Sequence, residues 1–256
     1  AEVLHVRPVS PVVVGAARTL AAFAVGAVVF QAAQSLQVPA YEARLVGVWG
    51  VAALMHAYAT HARGPLLVGL AGCAAWSVWH GVGEDPRFGD FVWTFALTAA
   101  LAVAVAAVHE RVLDGAWRDF AAPWRTVGAT LALVGLFTAC LPLDEGLELS
   151  FGWWHGLLLA LALAAGAAGA LLGDRLDRAE VVVALGTVAA GLLMVAWVAA
   201  EDTSRIGVGD VAHACVGVLL YVGLAVALAV AGTLRDSRTL TTLSTVGLVV
   251  FTTAYD

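Results

Sequence analysis

Apolar runs of about 20 residues recur along this chain from near its start to Leu234, each bounded by a short cluster of charge. About 20 apolar residues are what one helical crossing of a bilayer needs. Reading the windows between charges predicts eight helices, near residues 12–34, 44–61, 65–82, 91–108, 126–141, 153–172, 181–200 and 211–233. A ninth stretch, 239–255, is rich in Thr and barely long enough to span. It reads as a tail that lies at the interface or docks on the bundle. No small-residue cleavage site follows Glu2 and Arg7, so the first run is expected to be retained as a span. Between the fourth and fifth runs, Val112, Leu113, Trp117 and Phe120 share one helical face, which predicts a short helix lying on the membrane surface. The expected fold is all-α: a polytopic membrane helix bundle of about eight transmembrane helices, in a single integral membrane domain over 1–256.

Composition supports lipid as the solvent. Of 256 residues, 61% are hydrophobic and 12% charged, against about a quarter charged in an ordinary soluble domain, and the mean hydropathy is +0.90. All 13 basic residues are Arg, with no Lys anywhere. Retinal Schiff bases, pyridoxal phosphate enzymes and phosphate-binding P-loops all require a lysine, so these three classes are excluded. The net charge of -6 and the lack of a basic stripe argue against nucleic acid as a partner. Cys73, Cys140 and Cys215 fall inside apolar runs without Cys-x-x-Cys spacing, as buried and inert thiols do.

Charge also orients the spans. With a cytoplasmic N-terminus, ten arginines lie inside and only Arg44, Arg87 and Arg205 outside. By the positive-inside rule, eight spans in a plasma membrane then leave both termini cytoplasmic. The same partition places ten carboxylates outside, Asp90, Asp144, Asp202 and Asp210 among them, and makes the outer face an acidic rim. No Asp or Glu falls well inside a predicted span, which argues against an ion or proton pump.

The outer loops resemble each other around Asp85, Asp144 and Asp202, which stand 59 and 58 residues apart. That period equals two spans with their loops and predicts repeated two-helix hairpins. In two copies a histidine follows the aspartate by the same eleven residues, Asp144 to His155 and Asp202 to His213. With His80 at the outer end of the third run, these histidines form the sharpest chemical constellation. Imidazoles at one depth on neighbouring helices suit haem b ligation or a zinc or copper site, with His80, His155 and His213 as metal ligands and Asp90, Asp144, Asp202 and Asp210 orienting the rings. Rings at a membrane boundary also meet water with no ligand at all, and that reading asks for less. His56, His61 and His109 are the residues that a second, inner haem would use.

Gly207-Val208-Gly209-Asp210 matches the GxGD of intramembrane aspartyl proteases, but the companion motifs are missing, and an Asp opening a helix after glycines is also an N-cap. Ser77-x-x-His80 followed by Asp90 lacks the paired histidines of membrane lipid hydrolases. The leading expectation is therefore an accessory or interaction protein, embedded in the lipid bilayer, whose small-residue helices pack against other membrane proteins or a second copy of itself. A membrane redox protein or metal-dependent enzyme is the alternative, and a carrier of a neutral or cationic solute the third.

Overall fold

The computed structural model describes residues 10–39, 42–83, 87–112, 115–141, 151–200 and 208–254. The described residues form α1 (Pro11–Ser35), α2 (Ala43–Thr60), α3 (Arg63–Val82), α4 (Phe88–Val112), α5 (Ala121–Cys140), α6 (Trp153–Leu172), α7 (Arg175–Ala200), α8 (Val208–Leu234) and α9 (Arg238–Ala254). Seven of them are long and apolar enough to cross a membrane. The exceptions are α2, which carries Arg44 and His56, and α9, which has 17 residues. The chain is an all-α protein with the makeup of a multi-pass membrane protein. It divides into two compact units, one up to Trp76 and one from Ser77.

In the first unit α1 lies on α2 through a tryptophan set into a glycine. Trp49 fills the space that a Cβ at Gly26 would take, lies between Phe23 and Phe30, and donates its indole N–H to Ala22 O at 2.9 Å. The α2–α3 contact depends equally on small residues: Gly50 faces the backbone of Gly72 and Cys73. Lipid tails are as apolar as leucine, so helices in a bilayer associate through close packing and hydrogen bonds rather than by escape from water. Only 11% of the apolar window of α1 is buried, and Leu20, Phe23 and Val28 are exposed.

In the second unit α4 is the central helix, with 61% of its apolar window buried. Its Ala96, Leu97, Ala100 and Val103 pack with Leu158 and Ala162 of α6 and Ala184 and Val188 of α7. Alanine and glycine let the helix axes approach: Gly128 of α5 sits against Val103 and the carbonyl of Ala99, and Gly169 of α6 against Ala107. The Thr-rich tail is a helix docked antiparallel on α8. Ser244 Oγ donates to Ala225 O at 2.7 Å, Tyr221 donates to Gly247 O, and the Tyr221 and Phe251 rings stack 4.1 Å apart.

Two expectations are corrected. The surface helix predicted over 109–125 does not form; α4 continues to Val112, residues Gly115–Phe120 form a 3₁₀ turn, and α5 starts at Ala121. Phe120, expected on the lipid-facing stripe, is fully buried, and it anchors the end of an otherwise largely exposed turn at the start of α5. Likewise, α7 begins at Arg175 rather than near residue 181, so Asp177 and Glu180 lie within a helix of spanning length.

Candidate functional site

The predicted histidines are held in three different ways. His155, buried near the start of α6, accepts the N–H of Gly152 on Nδ1 at 3.3 Å. That acceptance makes Nε2 the protonated nitrogen of the neutral ring. Nε2 donates to Thr94 Oγ1 at 3.0 Å, and the Thr94 hydroxyl donates to Asp90 O at 2.7 Å. His155 thus ties α6 to α4 with both nitrogens engaged. His80 on α3 packs edge-on against Trp153 and Trp154, with centroids 5.6 and 5.0 Å away. His213 on α8 is buried beside Trp197 of α7, and among the described residues its Nε2 has no hydrogen-bond partner.

Of the expected orienting acids, Asp90 is buried in the first turn of α4 and acts electrostatically on His155. Asp144 and Asp202 lie outside the described residues, as does Asp85, and with them the loop repeat. Asp210 is in the first turn of α8, its side chain likewise outside the description. Among the described residues no three His, Cys, Asp or Glu side chains converge to hold a metal ion. Of the inner set, His109 is helical and buried rather than a loop residue, its Nδ1–H bonding Val105 O, and His56 Nε2 is buried with no hydrogen-bond partner among the described residues.

The densest polar chemistry lies at the other end of the second unit, where α4 and α8 finish and α5 and α7 begin. Asp174 precedes α7 as its N-cap: Oδ1 accepts the amides of Leu176 and Asp177, while Asp177 Oδ2 accepts the Asp174 amide at 3.0 Å. This reciprocal capping box satisfies the free amides of the first turn. Its carboxylates then collect arginines. Arg111 donates to both Asp174 and Asp177. Arg235, just past α8, donates Nε to Glu180 Oε1 at 2.6 Å and Nη2 to Asp177 Oδ1. Arg125 of α5 donates Nε to Glu180 Oε2 at 2.9 Å, and Arg118 donates to Glu110. Four arginines therefore face four carboxylates: Arg111, Arg118, Arg125 and Arg235 against Glu110, Asp174, Asp177 and Glu180.

Outside the spanning segments the network sets two charges firmly. The Asp177 amide, with help from the Leu176 amide and Arg111, holds the Asp174 carboxyl below its ordinary pKa against burial and the neighbouring Asp177 charge. Burial opposes the charge of Arg235, but hydrogen bonds and attraction from Glu180 and Asp177 overcome it and raise its pKa.

Two cavities adjoin the network. One, of about 400 Å³, is lined by its charged groups. The other, of about 230 Å³, is apolar and runs between α5, α7 and α8. Arg125, Leu176, Leu234 and Leu240 line both.

Sequence reasoning missed this site because it placed each charge in a loop. The signal was present in the spacing: Asp174, Asp177 and Glu180 recur every three residues, which sets three carboxylates along one helical face. Comparison of the chain with protein-family models, with curated proteins and with solved structures finds no match to any of them.

Proposed function

We propose that this chain is an accessory or interaction subunit of a plasma-membrane assembly. It works as one membrane domain of eight spans, α1–α8, built as repeated hairpins, with both termini cytoplasmic and an acidic outer face. One observation carries the reading: the arginines and carboxylates at the α4–α8 end are matched to each other, four to four, across several helices. Arg125, Arg235, Asp177 and Glu180 are buried or nearly so, and ions buried and paired in this way fix register between helices. They serve a scaffold, which must present one outer surface reproducibly. The surface offered is apolar, with Leu157, Leu161 and Leu163 of α6 and Leu219, Val226 and Val230 of α8 exposed.

Cross-linking in native membranes followed by gentle purification tests the proposal. The chain is expected to retain one identifiable membrane protein, or a second copy of itself, at constant ratio through successive columns. Recovery of the chain alone in every preparation overturns it.

A second reading is favoured by His213, whose buried Nε2 has no hydrogen-bond partner among the described residues. It is the nitrogen among the three expected ligands that is best placed to hold haem b or a zinc or copper ion, in a redox or metal-dependent protein. An absorption spectrum and metal analysis decide the matter. A Soret band or stoichiometric metal that disappears in His213→Ala supports this reading, and a colourless, metal-free protein ends it.

A further inference from the structure

We propose that the crevice between α5, α7 and α8 binds one phospholipid molecule, with an acyl chain in the apolar cavity and the phosphate on Arg125. This inference is independent of the accessory reading.

The cavity has the shape and lining of a hydrocarbon site. From the level of Arg125 and Glu180 it passes Ala129 and Val183 to Ala132 and Thr187, a run of two helical turns or about 10 Å at 1.5 Å per residue. Small residues on α5 and α7 face Leu224 and Leu228 on α8, and this space of about 230 Å³ is almost wholly apolar. Apolar voids of that kind stay dry, because a water there finds too few polar partners. In a bilayer, hydrocarbon is the material at hand to fill it.

The polar end supplies the second, independent observation. Arg125 is buried, with 6% of its surface exposed, and lines both cavities. Its Nε is engaged by Glu180, but among the described residues the buried Nη2 has no hydrogen-bond acceptor, and its ion pair with Glu110 Oε2 is a long one of 3.6 Å. A guanidinium nitrogen in that condition calls for an anionic oxygen. Arg118 stands half exposed at the rim of the same polar cavity and extends the positive edge. Because the surrounding charges balance, a head group that brings one phosphate and one ammonium leaves the site neutral. The ammonium then faces Glu110 or the exposed edge of Asp174. A zwitterionic ethanolamine phospholipid is the occupant of that chemistry.

Native mass spectrometry of the full, delipidated chain in detergent tests this, with a phosphatidylethanolamine of defined chain length as probe. Two variants separate the halves of the site. Ala227→Phe fills the apolar cavity without touching the ionic network, and Arg125→Gln removes the charge while keeping an amide donor. The expected result is one saturable adduct per chain, weakened about ten-fold or more by either variant; ten-fold corresponds to about 1.4 kcal/mol. Equal retention in the parent and both variants identifies the adduct as annular lipid and overturns the proposal. Inorganic phosphate that competes fully, with no response to Ala227→Phe, assigns a free-anion site instead. A fatty acid that binds as well as the phospholipid, regardless of Arg125→Gln, leaves only an apolar slot. Loss of folding in Arg125→Gln leaves Ala227→Phe to decide.

Discussion

At the scale of single residues, the firmest consequences concern Glu180. Its carboxylate receives both Arg125 and Arg235, and the Arg125 and Glu180 side chains are each only 8% exposed. Removing one member of a buried ion pair strands the other, at a cost of about 3–5 kcal/mol in protein interiors. Glu180→Ala is therefore expected to lower the unfolding temperature in detergent sharply. The double variant Arg125→Leu/Glu180→Leu should recover much of the loss, because Arg235 keeps Asp177. An equal loss in the single and double variants refutes the pairing.

Asp174 gives a pH signature. Its folded pKa is depressed, so its contribution is complete above the ordinary carboxylate value near 3.8 and is lost as pH falls below that value. Asp174→Asn keeps the cap but removes the charge. With this carboxylate half exposed, the variant should cost less than about 1 kcal/mol at neutral pH, and its stability should match the parent as pH falls below the carboxylate range. Thermal melts from pH 7 to about pH 2 measure both effects. Of this site the sequence disclosed the residues but not the meeting. Nothing in the chain near Arg125 indicates that a carboxylate 55 positions later will receive it.

At the scale of elements, the helices were largely legible because a bilayer permits few backbone solutions. With no water to satisfy peptide groups, a long apolar run must be helical. The starts of helices were less legible where charge was capping the helix rather than leaving the membrane. The Asp174 box is such a case, and it moves the start of α7 upstream. The contacts between helices depend on glycines whose partners lie far along the chain. A Cβ at Gly128 would stand 2.8 Å from Val103 and 3.0 Å from a backbone oxygen, so Gly128→Val forces α4 and α5 apart. Overpacking of this kind costs about 1–3 kcal/mol, whereas Gly186→Ala, where no neighbouring helix or side chain lies within 4 Å of the added Cβ, should raise stability slightly, by at most about 1 kcal/mol, because alanine is the better helix former. Melting curves of the two variants side by side provide the check. For α9, the Tyr221–Phe251 stack and the Ser244 bond hold the helix to α8. Phe251→Ala is expected to raise amide exchange across α9 and leave α4 protected; unchanged exchange in α9 argues against the docking.

At the scale of the whole molecule, the sidedness proposed from the arginines makes a compartment prediction. Arg118, more than half exposed beside the ionic network, and Trp153, exposed at the start of α6, lie at opposite ends of the second unit. In a variant with Cys215 replaced by Ser, cysteines placed at these two positions should react with impermeant reagents added from opposite faces of the membrane. The cysteine at 118 should react from the cytoplasm. Labelling of both from one face refutes the proposed topology. The sequence alone determined the solvent of this protein, its helical class and the chemistries that a chain without lysine must forgo. These are properties of composition and of runs along the chain, and a backbone in lipid has no other way to satisfy itself. Only the tertiary structure decided that Arg125 meets Glu180, that His155 is bound by Thr94, and that an apolar cavity ends at an arginine. Such pairings join residues dozens of positions apart, and a local pattern of residues carries no record of which distant helix will supply the partner.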